Sequence, residues 1–179
     1  MLKLNFKLIA IAAAVCSCAA ANAQAPIQIF TQILGTWVGT VKFNTAHSAL
    51  QTPADASVKV TTAVKGHYIE FERVLFLPGG ADESLSLLTF DPVGRQYEMW
   101  SYNEHTPGAR MLSGNFDDKH QYLTLTSPGI LESGSTVAYK EIFHIESPEK
   151  FTLEYDIRLN DKWQEDFTIT FTRKVEVKK

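Results

Sequence analysis

The sequence predicts an all-β protein, an antiparallel up-and-down β-barrel of about ten strands with a short N-terminal helix. Three observations carry this. Beyond Gly35, turn signals recur every eight to fifteen residues, among them Pro78-Gly79-Gly80, Asp91-Pro92-Val93-Gly94, Asp117-Asp118 and Asn160-Asp161. The segments between them are rich in Val, Thr, Phe, Tyr and Ile, the residue types that suit a half-buried pleated surface. Several of those segments alternate strictly, which assigns their two faces. Hairpins in series leave two exposed sheet edges, and pairing the last strand with the first removes both.

Strands are expected at 36–44, 56–65, 67–77, 83–90, 95–103, 109–116, 121–127, 135–146, 150–159 and 162–173. In the ninth, Phe151, Leu153, Tyr155, Ile157 and Leu159 share one face. In the tenth, Trp163, Phe167, Ile169 and Phe171 point one way, with Thr168, Thr170 and Thr172 opposite. Ahead of the strands, Pro26 to Leu34 carries Ile27, Ile29, Phe30 and Ile33 between a leading proline and a trailing Gly35, a pattern for a short helix that caps one end of the barrel. A strand there is the alternative.

The segment Leu34-Gly35-Thr36-Trp37-Val38-Gly39 opens the first strand. Gly35 permits a tight turn out of the helix. Trp37 is the first large inward residue, and Gly39 leaves space above its ring. If the last strand pairs with the first, Arg173 reaches Trp37 for a cation–π contact worth about 1 kcal/mol or more when shielded.

This arrangement resembles the calycin superfamily, the lipocalins and their relatives, which share a Gly-x-Trp at strand one and a basic residue of the last strand packed on the tryptophan. The closer resemblance is to the bacterial calycin-like family called domain of unknown function 1579. It rests on that opening, on Leu88-Thr89-Phe90-Asp91-Pro92 running to Trp100, and on Gly114-Asn115-Phe116-Asp117 leading into Leu123-Thr124-Leu125. The likeness spans nearly all of the chain beyond the N-terminal segment and implies a fold rather than an activity. Nitrobindin-like haem barrels resemble the opening more distantly, but here Thr40-Val41-Lys42-Phe43 follows in place of their continuation. His144, the one histidine in a late strand, lies opposite Phe143 and Ile145, which favours an outward position over haem ligation. No cofactor is predicted; haem is left open, with no motif in its support.

The N-terminus reads as a secretory signal over residues 1–23, with a barrel domain at 24–179. Lys3 and Lys7 form the basic region, Leu8 to Ala21 the apolar one, and Ala21-Asn22-Ala23 the cleavage site. The apolar run is short and Ala-rich for a membrane span. Cleavage near Ala23 places the protein in the periplasm or outside the cell, without stable membrane insertion. Both cysteines, Cys16 and Cys18, lie in this segment, so the mature chain would have neither thiol nor disulfide. A lipidated cysteine is the alternative, although Ala13-Ala14-Val15 before Cys16 lacks the usual leucine. Loss of Lys3 and Lys7 takes the formal net charge from -3 to -5, and no basic stripe appears, which argues against nucleic acid as a partner.

No catalytic constellation is legible. The histidines show no metal-type spacing, there is no phosphate loop, and Asp117-Asp118 falls in a turn. Two charges interrupt apolar faces. Arg73 lies in phase with Ile69, Phe71, Leu75 and Leu77, and Glu165 in phase with Trp163, Phe167 and Ile169. A charge inside a barrel is costly unless paired or wet. Each is thus a polar anchor for a ligand, a residue at the barrel mouth, or the mark of a β-bulge that turns it outward. The leading expectation is non-catalytic binding of a small apolar or amphipathic molecule. Its pocket would be lined by Phe71, Trp100, Tyr155 and Trp163, with Arg73 or Glu165 at the polar end. The rivals are an enzyme, which needs two converging titratable groups and is disfavoured if Glu165, Glu141 and His144 face outward, and an interaction protein that exposes Val58, Val60 and Val64. The oligomeric state is not legible.

Overall fold

A computed structural model describes residues 25–44, 52–104, 106–130, 136–159 and 161–174. The expected signal segment therefore lies outside the described residues. Ten antiparallel strands form one closed barrel: β1 (Gly35–Phe43), β2 (Ala54–Ala63), β3 (Tyr68–Leu77), β4 (Gly80–Asp91), β5 (Gln96–Asn103), β6 (Thr106–Phe116), β7 (Tyr122–Ile130), β8 (Thr136–Ser147), β9 (Lys150–Leu159) and β10 (Lys162–Arg173). Each strand pairs with its neighbours in sequence, and β1 closes the ring against β10. Before them lies a helical turn, α1 (Ala25–Gln28), continued as a 3-10 turn over Ile29–Ile33.

Period-two alternation sets the interior. Trp37 and Val41 of β1, Ala56, Val58 and Val60 of β2, and Ile69, Phe71 and Leu75 of β3 are all buried, while their sequence neighbours are more exposed. Val58 and Val60 thus belong to the core, and of the proposed valine surface only Val64 is exposed. Val64 and Lys65 sit outside β2 because both adopt positive φ, 48° and 58°, in the tight turn to β3. β6 and β7 run beyond the expected 109–116 and 121–127 and take in the stretches Thr106-Pro107-Gly108 and Pro128-Gly129.

One end of the barrel is plugged. Phe30 is fully buried and meets the rings of Phe71, Tyr97, Phe116 and Phe143 at centroid distances of 6.0 to 6.5 Å. Above the plug the bore is filled by Trp37, Phe151 and Phe171, with Phe151 edge-on to Trp37 at 4.9 Å and stacked on Phe171 at 4.8 Å. The space beside Gly39 is therefore occupied. Phe171 fills it, and a Cβ on Gly39 would fall 2.7 Å from Phe171 Cδ1. Glycine is required there because its neighbour on β10 is a large ring.

Arg173 does what its position predicts and more. Its guanidinium lies 4.4 Å from the Trp37 ring centroid. It also donates from Nη1 to the Leu34 carbonyl at 2.8 Å, from Nη2 to Gln32 at 2.8 Å, and from Nε to Pro148 at 2.9 Å. Trp37 in turn donates from Nε1 to the Ile33 carbonyl at 2.8 Å. The plug, β1, β10 and the β8–β9 turn meet at one side chain. Arg173→Met is expected to lower stability by about 2–3 kcal/mol, through loss of the cation–π contact and of charge-assisted bonds to carbonyls. Arg173→Lys should recover less than half of this, since an ammonium lacks the planar fork. Denaturant unfolding of both variants checks it, and a loss below about 0.5 kcal/mol for Arg173→Met would contradict it.

Candidate functional site

At the end opposite the plug, the interior changes from apolar to charged. Arg73 on β3, Ser84 on β4, Ser101 on β5, Arg110 on β6, Glu141 on β8 and Tyr155 on β9 line a cavity of about 150 Å3, with Leu75 and Phe167 as its apolar walls. Each stands on the inward phase of its strand: Glu141 alternates with the buried Phe143, and Arg110 with the buried Leu112. Beneath the charged layer, a residual gap of about 10 Å3 among Phe71, Phe143, Phe151, Leu153 and Phe171 is too small for more than a water. The lower barrel is a solid aromatic core, and the usable space lies above it.

The two guanidiniums are held but not saturated. Arg73 donates from Nε to Ser84 Oγ at 3.1 Å. Arg110 donates from Nη1 to the Tyr155 hydroxyl and lies over the Tyr139 ring at 3.8 Å. Tyr155 is itself fixed by stacking on Phe167, 5.0 Å between centroids and 9° between planes. A guanidinium has five N–H donors, so most of the donors at the chamber remain unused by the described residues.

Glu141 is 2% exposed. Its carboxyl makes no direct hydrogen bond or ion pair among the described residues, although Arg73 and Arg110 both lie close enough to act on it electrostatically. Burial pushes its pKa above the ordinary glutamate value, and the pull of the two guanidiniums offsets this only in part. Burial likewise raises the Tyr155 hydroxyl, so that it remains a donor. A buried carboxyl with a raised pKa, two cations with unused donors and a phenol hydroxyl therefore converge on one small space.

Of the residues singled out from the sequence, Phe71, Arg73 and Tyr155 lie inside. Phe71 belongs to the floor, and Arg73 and Tyr155 to the chamber itself. Trp100, Trp163 and Glu165 are on the outer wall. Trp100 follows the fully buried Met99 and pairs across the sheet with Leu87 and the half-exposed Met111. Trp163 is 39% exposed, with the Lys140 ammonium 4.7 Å from its ring centroid. Glu165 accepts from Thr168 Oγ1 at 2.7 Å and stands across the β9–β10 ladder from Asp156, which forms an ion pair with Lys140. The cause is a β-bulge between Glu165 and Phe167, which reverses the phase of β10, so that residues before Asp166 in phase with Phe167 by count point the other way. The expected apolar pocket between Phe71, Trp100 and Trp163 is replaced by a charged one. Gly35 fits its motif role, with φ at +127° and Arg173 Nη1 lying 2.9 Å from where a Cβ would stand.

Arg110 was not singled out from the sequence, and Glu141 was named only as a titratable group for the enzyme reading; the structure turns Glu141 inward and leaves Glu165 and His144 outside. The signal was available: Tyr139, Glu141, Phe143 and Ile145 alternate in the same way as the segments used to assign β9 and β10. His144 lies on the outer wall, stacked on Tyr122 at 4.3 Å, and His67 and His120 are exposed, so no described histidine reaches the interior to hold a haem. Among the described residues no group of three or more His, Cys, Asp or Glu is placed to hold a metal ion, and no helix is long and apolar enough to cross a membrane. Asp117 Oδ1 accepts the Gln121 and Tyr122 amides at 2.7 and 3.1 Å and so serves its turn.

A closed ten-stranded antiparallel barrel, plugged by an N-terminal helical turn and sealed by a tryptophan–arginine pair, is a calycin-like barrel. The chain belongs to the family described as "Protein of unknown function (DUF1579)", whose profile matches residues 22–173. No curated protein matches it. Among solved structures, Rv2717c from M. tuberculosis aligns over 83% of this chain and 97% of its own, with a TM-score of 0.63 and 13% identity, a likeness of fold. The structure of EF1p2_mFAP2b bound to DFHBI aligns over 80% of this chain and 95% of its own, with a TM-score of 0.45 and 8% identity.

The state of Glu141 has a consequence for stability. Its folded-state pKa is raised, so the native chain holds a proton that the unfolded chain releases; stability falls as pH rises from the unfolded value toward the folded one. Glu141→Gln removes this term. The variant should match wild type near pH 4, gain on it as pH rises above the ordinary glutamate value, and hold a constant advantage once the folded-state carboxyl has ionised, in thermal unfolding across pH.

Proposed function

We propose that this protein is an exported carrier or sensor of a small molecule, which it binds in the charged chamber without transforming it. The observation that carries the reading is the chamber itself: about 150 Å3 of space at one end of an otherwise solid barrel, lined by Arg73, Arg110, Glu141 and Tyr155. Four polar groups gathered over an aromatic floor have no structural necessity, because an apolar layer would fill the same bore at lower cost. Their presence together supports a ligand that uses them. The volume is close to that of a cavity that holds benzene, which limits the ligand to about ten non-hydrogen atoms unless it extends out of the mouth. Binding without chemistry is favoured because, among the described residues, the chamber holds no nucleophile hydrogen-bonded to a base. Export rests on the basic, apolar and Ala-x-Ala pattern of residues 1–23.

Native mass spectrometry of the protein recovered from the export compartment tests both parts. The mature chain is expected to begin at Gln24 and to carry a small additional mass that is lost on denaturation. A chain that keeps its first 23 residues would contradict export. A bare chain that also gains no mass from a panel of small acids, amines and alcohols would contradict binding.

A further inference from the structure

The chamber's chemistry narrows the ligand, given that it binds a small molecule at all. We propose that it is an anion site for a small monocarboxylate with a compact apolar body, whose charge lies between the guanidiniums of Arg73 and Arg110 beside the buried Glu141. Three observations converge on this. Arg73 and Arg110 come from different strands, β3 and β6, with β4 and β5 between them, yet line one cavity, and the described structure uses only Nε of the first and Nη1 of the second. Glu141 is 2% exposed, faces the same cavity and has no direct partner among the described residues, so a ligand atom is the group that could meet it. Leu75 and Phe167 flank the charged layer and offer a wall to a short apolar body.

The charges decide between an anion and a cation. The groups that face Glu141 are Arg73 from β3, Asp82 from β4, Arg110 from β6 and, as its neighbour across the sheet, Tyr155 from β9; its β7 neighbour, Leu125, is uncharged. Two guanidiniums with unused donors line the chamber, and a monoanion answers both. A bound amine would instead gather three cations in a space where water screens little, an arrangement that low local dielectric penalises. A carboxylate also matches the fork of a guanidinium, which an alcohol does not. When Glu141 ionises it repels the ligand and competes for the same donors, so binding requires it protonated. Linkage gives the sign: affinity is level below the titration of Glu141 in the free chamber and falls about tenfold per pH unit above it.

The test is isothermal titration of the full mature chain with benzoate, benzylamine and benzyl alcohol, three probes of nearly equal size, between pH 5.5 and 8.5. Benzoate is expected to bind at least about tenfold more tightly than either of the others, the worth of one charge-assisted pair. Its affinity is expected to fall toward pH 8.5 in wild type and to stay level in Glu141→Gln, whose amide cannot ionise. Thermal unfolding confirms that the variant is folded. Benzylamine or benzyl alcohol binding in preference to benzoate would overturn the anion assignment and leave the small-molecule reading standing. Benzoate affinity that is level with pH in wild type would overturn the role of Glu141. Absence of binding by all three would overturn the proposal, and it would overturn the small-molecule reading as well if the native mass spectrum were also bare.

Discussion

The pairing of β1 with β10 is the constraint on which everything else depends, and Arg173 is where it is locked. Without that pairing the sheet has two long edges and no inside. With it, Trp37 and Arg173 become cross-strand partners, and the guanidinium reaches the ring, the two carbonyls at the end of the plug and the β8–β9 turn together. The plug is then anchored through its own backbone. Closure of the ring and closure of one end follow from one side chain, which is why the last strand must end on an arginine and the first must begin Gly-x-Trp.

One sealed end leaves the other to differ in character. From Phe30 to Phe171 the bore is aromatic and full, and polar groups enter only above that level. Polar residues inside a barrel need partners, and here the partners are incomplete: Ser84 holds one donor of Arg73, Tyr155 holds one donor of Arg110, and Glu141 is left with none among the described residues. The outer wall shows the contrast. There Asp156 is equally buried but meets Lys140 directly, with Trp163 beneath the ammonium. That pair reads as structure, because the buried carboxylate meets its counter-charge directly. The chamber reads as a site, because its charges are placed side by side and do not.

Most of the architecture was legible in the residues. Period-two alternation and Gly/Pro punctuation report directly on a pleated, half-buried wall, so strand order, closure, the helical plug and the Trp37–Arg173 contact all followed. The phase of β10 did not. Trp163, Glu165, Phe167 and Ile169 form an unbroken odd-numbered series, and the bulge that splits it inserts Asp166 without disturbing the count. Glu165 was the clue, a charge in an apolar register, and the bulge was one of three explanations it allowed. Trp100 illustrates a different limit: a large aromatic suggests a pocket by its size, yet its phase, opposite Met99, puts it on the outer wall. Arg110 and Glu141 were readable by the same phase argument and needed only to be followed through β6 and β8.

The central claim is that Glu141 is a buried acid with no partner of its own, waiting on a ligand. Carbon-13 NMR of the glutamate side-chain carboxyls, titrated with pH and assigned by the resonance missing in Glu141→Gln, measures this directly. The account predicts one carboxyl that titrates distinctly above the ordinary value of 4.5 in the free protein, with the other groups unaffected by the substitution. A Glu141 resonance that titrates at or below that value would contradict it, because the carboxylate would then be paired with Arg73 or Arg110 and the chamber already satisfied.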